Sequence, residues 1–139
     1  MRKRILVITI SVLAVFVSCK DTGPATYKTL VGAWHCTENS IYGSRSYLID
    51  VFRTKADTTI YLLSNFHKIT TDDTGDVRAK LIGSTLTIEV QQTITNGSTS
   101  LTVISGSGTV AADLKQIVLD YKVFDGKTNN DVHALYSRP

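Results

Sequence analysis

From residue 33 onward, apolar and polar side chains alternate in short segments. That period of two seats one face of a β-strand on a core and leaves the other in water. The clearest segments are 77–82, with Val77, Ala79 and Leu81 against Arg78 and Lys80, and 85–94, with Leu86, Ile88 and Val90 against Thr85, Thr87 and Glu89. Segment 46–55 places Tyr47, Ile49 and Val51 on one face and Leu48 and Phe52 on the other. Segment 114–124 aligns Ile117, Leu119, Tyr121 and Val123. Residues 33–39, 59–66, 100–111 and 131–138 bring the expected strands to eight. Turn chemistry separates them: Gly83-Ser84, Asn96-Gly97 and Asp125-Gly126. Gly106 and Gly108 mark a bend inside one strand.

Parallel pairing needs crossovers of a dozen or more residues, and these connections are too short. The strands therefore form an antiparallel meander, each with one wet and one dry face. A meander of eight removes its exposed edges most simply by closing on itself. The expected fold class is all-β, an antiparallel eight-stranded meander barrel, with a β-sandwich as the alternative.

The first eighteen residues follow another pattern. Arg2, Lys3 and Arg4 precede an uncharged, mostly apolar run at 5–17, and Ser18 stands before Cys19. Thirteen residues fall short of the roughly 20 that a spanning helix needs, so the layout is that of a secretory signal. Residues 13–19, Leu-Ala-Val-Phe-Val-Ser-Cys, resemble the lipobox of bacterial lipoproteins, with Phe16 where that motif prefers Leu. The resemblance implies a signal peptide at 1–18, a lipidated (palmitate-bearing) Cys19 with a tether at 19–29, and a folded domain at 30–139. It also implies a protein lipid-anchored in the outer membrane, on its periplasmic face or at the cell surface. Lys20-Asp21 resembles the signal that sends some Bacteroidetes lipoproteins to the surface. The alternative is an ordinary cleaved signal.

Removal of residues 1–18 changes the charge picture. The whole chain has net charge +3, but the remaining 121 residues carry twelve Lys and Arg against twelve Asp and Glu. The basic excess belongs to the leader, so nucleic acid is not an expected partner. With Cys19 acylated, Cys36 stands alone, and a single strand cysteine reads as a small buried apolar residue.

A second resemblance lies in the first and last strands. Gly32-Ala33-Trp34 looks like the Gly-x-Trp motif of lipocalins and fatty-acid-binding proteins, which pairs its Trp with a basic residue from the last strand. Arg138 supplies that residue here, on the parity of Val132, Ala134 and Tyr136. The likeness implies a lipocalin-like barrel in which Gly32, Trp34 and Arg138 close one end. Strand parity assigns inward positions to Cys36, Tyr47, Ile49, Val51 and Leu81, and likewise to Ile88, Leu119, Tyr121 and Tyr136. These form a candidate cavity for a small apolar, lipid-like ligand, although a barrel of eight strands is equally able to fill with its own side chains.

Reactive constellations are sparse. His35 and Cys36 point to opposite faces of one strand. His35 and His133 could approach each other on the outer face, but two imidazoles make a poor zinc site, so no metal or cofactor is expected. All three histidines, His67 included, read as exposed. Ser105-Gly106-Ser107-Gly108 has no following helix to present to a phosphate. Glu38 shares the inward parity of Trp34 and Cys36. A buried carboxylate there would mark a ligand site, but the strand is expected to end near it and leave it solvated. No catalytic residue is expected. The leading function is noncatalytic ligand binding by a membrane-anchored envelope lipoprotein. Its rival is a ligand-free module of an envelope complex, docking through loops 39–44 and 68–76.

Overall fold

The computed structural model describes residues 26–68, 76–96 and 99–138. The signal segment, Cys19, most of the tether, Gly97 and most of the loop 68–76 lie outside the described residues. Nine strands run in chain order: β1 (Gly32–Ser40), β2 (Gly43–Arg53), β3 (Ile60–Ser64), β4 (Val77–Ile82), β5 (Thr85–Ile88), β6 (Gln91–Asn96), β7 (Thr99–Val110), β8 (Gln116–Phe124) and β9 (Asn129–Ser137). A short 3₁₀ turn, Phe66–Lys68, follows β3.

All pairings are antiparallel, in the order β5-β4-β3-β2-β1-β9-β8-β7-β6, and an added β5–β7 pairing closes the ring. β7 is twelve residues long, and on the edge away from β8 it serves two partners: its first half pairs with β6 and its second with β5. Strands β5 and β6 thus occupy one position of an eight-position barrel. One continuous closed sheet replaces the sandwich alternative. The sequence reads 85–94 as a single strand, but the chain breaks pairing after Ile88. Val90, expected inside, is 72% exposed.

Elsewhere alternation and burial agree. Along β8 the pattern is strictly in and out, burying Ile117, Leu119, Tyr121 and Val123, and β9 buries Asn130, Val132, Ala134 and Tyr136. Fully burying the larger aliphatic side chains among these, such as Ile117 and Leu119, contributes about 1.5–3 kcal/mol each. The bend expected at Gly106 and Gly108 is a place of close approach. A Cβ on Gly108 would lie 2.4 Å from the Val118 carbonyl oxygen and 2.9 Å from the Leu119 Cα. Only glycine lets β7 lie that close to β8.

Strand direction gives the barrel two ends. The floor holds Thr29–Val31, the start of β1 and the end of β9. The opposite end, the mouth, holds the β1–β2 hairpin, the 3₁₀ turn and the β8–β9 turn.

Candidate functional site

At the floor, Arg138 is nearly buried. Its guanidinium carbon lies 4.2 Å from the Trp34 ring centroid and 3.8 Å from that of Tyr27. Its nitrogens donate to three carbonyls: Leu114 (Nε, 2.7 Å), Val31 (Nη1, 3.2 Å) and Thr29 (Nη2, 2.6 Å). Trp34 Nε1 donates to the Leu30 carbonyl at 2.8 Å. Gly32, at φ +124°, begins the strand that carries this indole. A cation stacked between two rings and forked onto three backbone acceptors seals this end.

The nine residues assigned to the cavity all face inward. Eight are buried, and Leu81 packs partly buried against the same core. They form one buried cluster with Trp34, Tyr61, Leu63 and Phe66. Burial pushes the Cys36 thiol up to about 11, as befits a packing residue. Tyr136 is likewise pushed well above its ordinary value by burial, and its hydroxyl has no hydrogen-bond partner of standard geometry.

Toward the mouth the interior becomes polar, and here two expectations are corrected. Glu38 is fully buried instead of solvated, because β1 continues through Ser40 and keeps its parity inward. His67 is buried instead of exposed, because it sits in the 3₁₀ turn that folds into the mouth. The Glu38 carboxylate accepts from four donors. Oε2 takes the Tyr47 and Tyr121 hydroxyls, each at 2.6 Å. Oε1 pairs with Arg45 Nη2 and lies 3.2 Å from His67 Nδ1. His67 Nδ1 is also 2.8 Å from the Tyr121 oxygen, while Nε2 is 2.9 Å from Arg45 Nη2. A hydrogen on Nδ1 and a lone pair on Nε2 satisfy these contacts together. Burial alone would raise the Glu38 pKa, but hydrogen bonds from His67, Tyr121 and Tyr47 outweigh it and hold the carboxyl at about 2.

This cluster is closed. Each carboxylate oxygen of Glu38 faces two donors of its own chain, and Phe66 packs on the Tyr121 ring beside it, centroids 4.5 Å apart. The turn that carries Phe66 holds Asn65, His67 and Lys68 at φ near +55°, a left-handed conformation uncommon for side-chain-bearing residues. Asn65 is tied down by donation from Nδ2 to the Leu48 carbonyl at 2.8 Å.

Two open features lie at the mouth end. The β1–β2 hairpin carries Ile41 and Tyr42 at 62% and 59% exposure. Both are braced: Ile41 N–H donates to Asn130 Oδ1 at 3.3 Å, and the Tyr42 hydroxyl donates to Asp125 Oδ2 at 2.9 Å. Beside them an open trough of about 720 Å³ crosses the outer wall of β7, β8, β9 and β1. His133 lies in it, opposite Asn39 on β1, whereas His35 is opposite Ser137, so the approach open to these two histidines does not occur. The Ser105–Gly108 stretch lies on β7 along the same wall. Among the described residues, no group of three His, Cys, Asp or Glu is placed to hold a metal ion.

No protein-family model matches the chain, and no curated protein sequence matches it. Among solved structures it is similar to a Bacteroides fragilis protein provisionally assigned to the outer membrane, at 16% identity and a TM-score of 0.47. The alignment covers 78% of this chain, which spans half the length of that protein.

Proposed function

We propose that this is a noncatalytic binding protein of the bacterial envelope, anchored in the outer membrane through an acylated Cys19, that works through the outer surface at its mouth. The observation that carries this reading is the contrast between the two sides of the wall. Inside, a lipid-like ligand would have to displace packed side chains and four donors already committed to Glu38. Outside, two apolar side chains are held in place on a braced hairpin beside an open trough. Exposed apolar groups that are fixed in position lose little entropy on binding, which favours recognition.

The anchor suits this arrangement. From Cys19 to Thr26 is at most about 25 Å of extended chain, and the described chain then enters at the floor. An acylated Cys19 would therefore hold the floor toward the bilayer and turn the hairpin and trough away from it.

Two experiments test the reading. Cys19→Ala is expected to abolish fatty-acid labelling and release the protein from membranes; a mutant that keeps both refutes the anchor. Native mass spectrometry of the chain from Lys20 onward is expected to show bare polypeptide. A stoichiometric co-purified lipid would restore the carrier reading and overturn this one.

A further inference from the structure

We propose that the trough on the outer wall is a binding site for a neutral carbohydrate chain. The proposal rests on the reading that the mouth end is the working surface, and names its ligand class.

Register is the first argument. Ser107 pairs with Asp120, Asp120 with His133, His133 with Asn39, and Asn39 with Ser44. Five outward side chains capable of hydrogen bonding thus form one row across five strands. A second row runs beside it, Ser105 to Lys122 to Asp131. Strands are spaced about 4.8 Å apart and the rows about 7 Å apart, so the lattice offers polar groups at the scale of a sugar ring over a length of several rings.

The second argument is chemical. Hydroxyl groups donate and accept, and the rows alternate both abilities: carboxylates at Asp120 and Asp131, an ammonium at Lys122, an imidazole at His133, an amide at Asn39 and hydroxyls at the serines. These groups are pre-oriented. Asp120 Oδ1 holds His133 Nδ1 at 2.6 Å, leaving Nε2 free. Lys122 Nζ lies 3.2 Å from Asp131 Oδ1. Ser44 donates to Asn39 Oδ1 at 2.6 Å, leaving the amide nitrogen free. Two carboxylates against one lysine disfavour phosphates, nucleic acid and anionic lipid. Ile41 is the one large aliphatic side chain with an outward position in the lining, too little for an acyl chain. Tyr42 stands next in sequence to the lining residue Ile41, just outside the lining itself; it is exposed and held through its hydroxyl to the turn that closes the β8–β9 hairpin, so its ring can stack on the C–H side of a pyranose that extends past Ile41.

The test titrates the full-length protein, in a detergent without a sugar headgroup, with neutral glucan, mannan, galactan and xylan oligosaccharides of four to six residues. Sulfated oligosaccharides serve as the anionic comparison. Binding of at least one neutral series is expected, with affinity nearly unchanged by added salt, because no counterions are released. Asp120→Ala and Asp131→Ala, both on exposed positions, are each expected to weaken it about tenfold or more, the usual worth of a hydrogen bond to a charged group, at unchanged thermal stability. Failure of all neutral series to bind, equal binding by both variants, or salt-sensitive binding of sulfated chains alone would overturn the proposal. Should the wild-type protein bind no sugar while the variants lose a specific envelope protein partner, the carbohydrate inference falls while the working-surface reading stands.

Discussion

The carboxylate at position 38 offers the most direct check on the physics of this barrel. Glu38→Leu removes the common acceptor of Tyr47, Tyr121 and Arg45 and leaves their donors without a partner in the interior. Breaking a buried ion pair from one side costs about 3–5 kcal/mol. Because the Arg45 side chain keeps partial access to water, about 3 kcal/mol is expected, a fall in Tm of roughly 12 °C for a domain of this size. Glu38→Gln should cost less, about 2 kcal/mol: the amide retains one acceptor but turns its NH2 toward a hydroxyl that must also donate. The pH dependence isolates the charge. The folded-state pKa is about 2 against an ordinary 4.5. A depressed carboxyl contributes stability above its unfolded pKa and loses it as pH falls through the folded one. Urea unfolding should therefore show wild type losing about 2 kcal/mol more than Glu38→Gln between pH 4.5 and pH 2. Parallel pH profiles, or a Glu38→Gln stability within about 0.5 kcal/mol of wild type at pH 7, would refute the account of Glu38 as the hub of the cluster.

Other outcomes follow from the same geometry. Arg138→Ala should lower stability by about 2 kcal/mol, read by thermal unfolding, and Arg138→Lys should recover only part of it, since an ammonium cannot serve three carbonyls from one plane. Gly108→Ala should be among the most damaging single changes, at about 3 kcal/mol or loss of soluble protein, because its Cβ meets the Val118 carbonyl; full stability would show that β7 and β8 are not so close. Cys36, buried and pushed up to about 11, should resist a thiol reagent at pH 8 until denaturant is added, and immediate labelling of the native protein would contradict its burial.

Much of the fold was legible because burial in a β-sheet follows parity, a property any residue carries locally. The inward assignments of Cys36, Tyr47, Leu119 and Tyr136 needed nothing more. Val90 escaped because a strand that changes partners along its edge keeps its hydrophobic alternation while its backbone turns out; no Gly or Pro announced the break after Ile88. The Glu38 cluster was half visible. The tight hairpin between Ser40 and Gly43 puts Arg45 directly opposite Glu38, on the parity of Tyr47, so charge pairing across that register could have signalled a buried carboxylate. His67 could not be found this way, because its position depends on left-handed turns and on a contact with Tyr121, 54 residues away. The polar rows of the trough required the register between β7 and β8, which a bulge between Val103 and Ser105 shifts.

The seam between β1 and β9 has a consequence for biogenesis. It joins segments about a hundred residues apart, and loop closure over such a span is slow compared with forming local hairpins. A chain emerging N-terminus first cannot complete its hydrogen-bonded ring until β9 has arrived. Until then β1 presents a bare edge, so the molecule would depend on a chaperone or on rapid passage to avoid pairing with a neighbour.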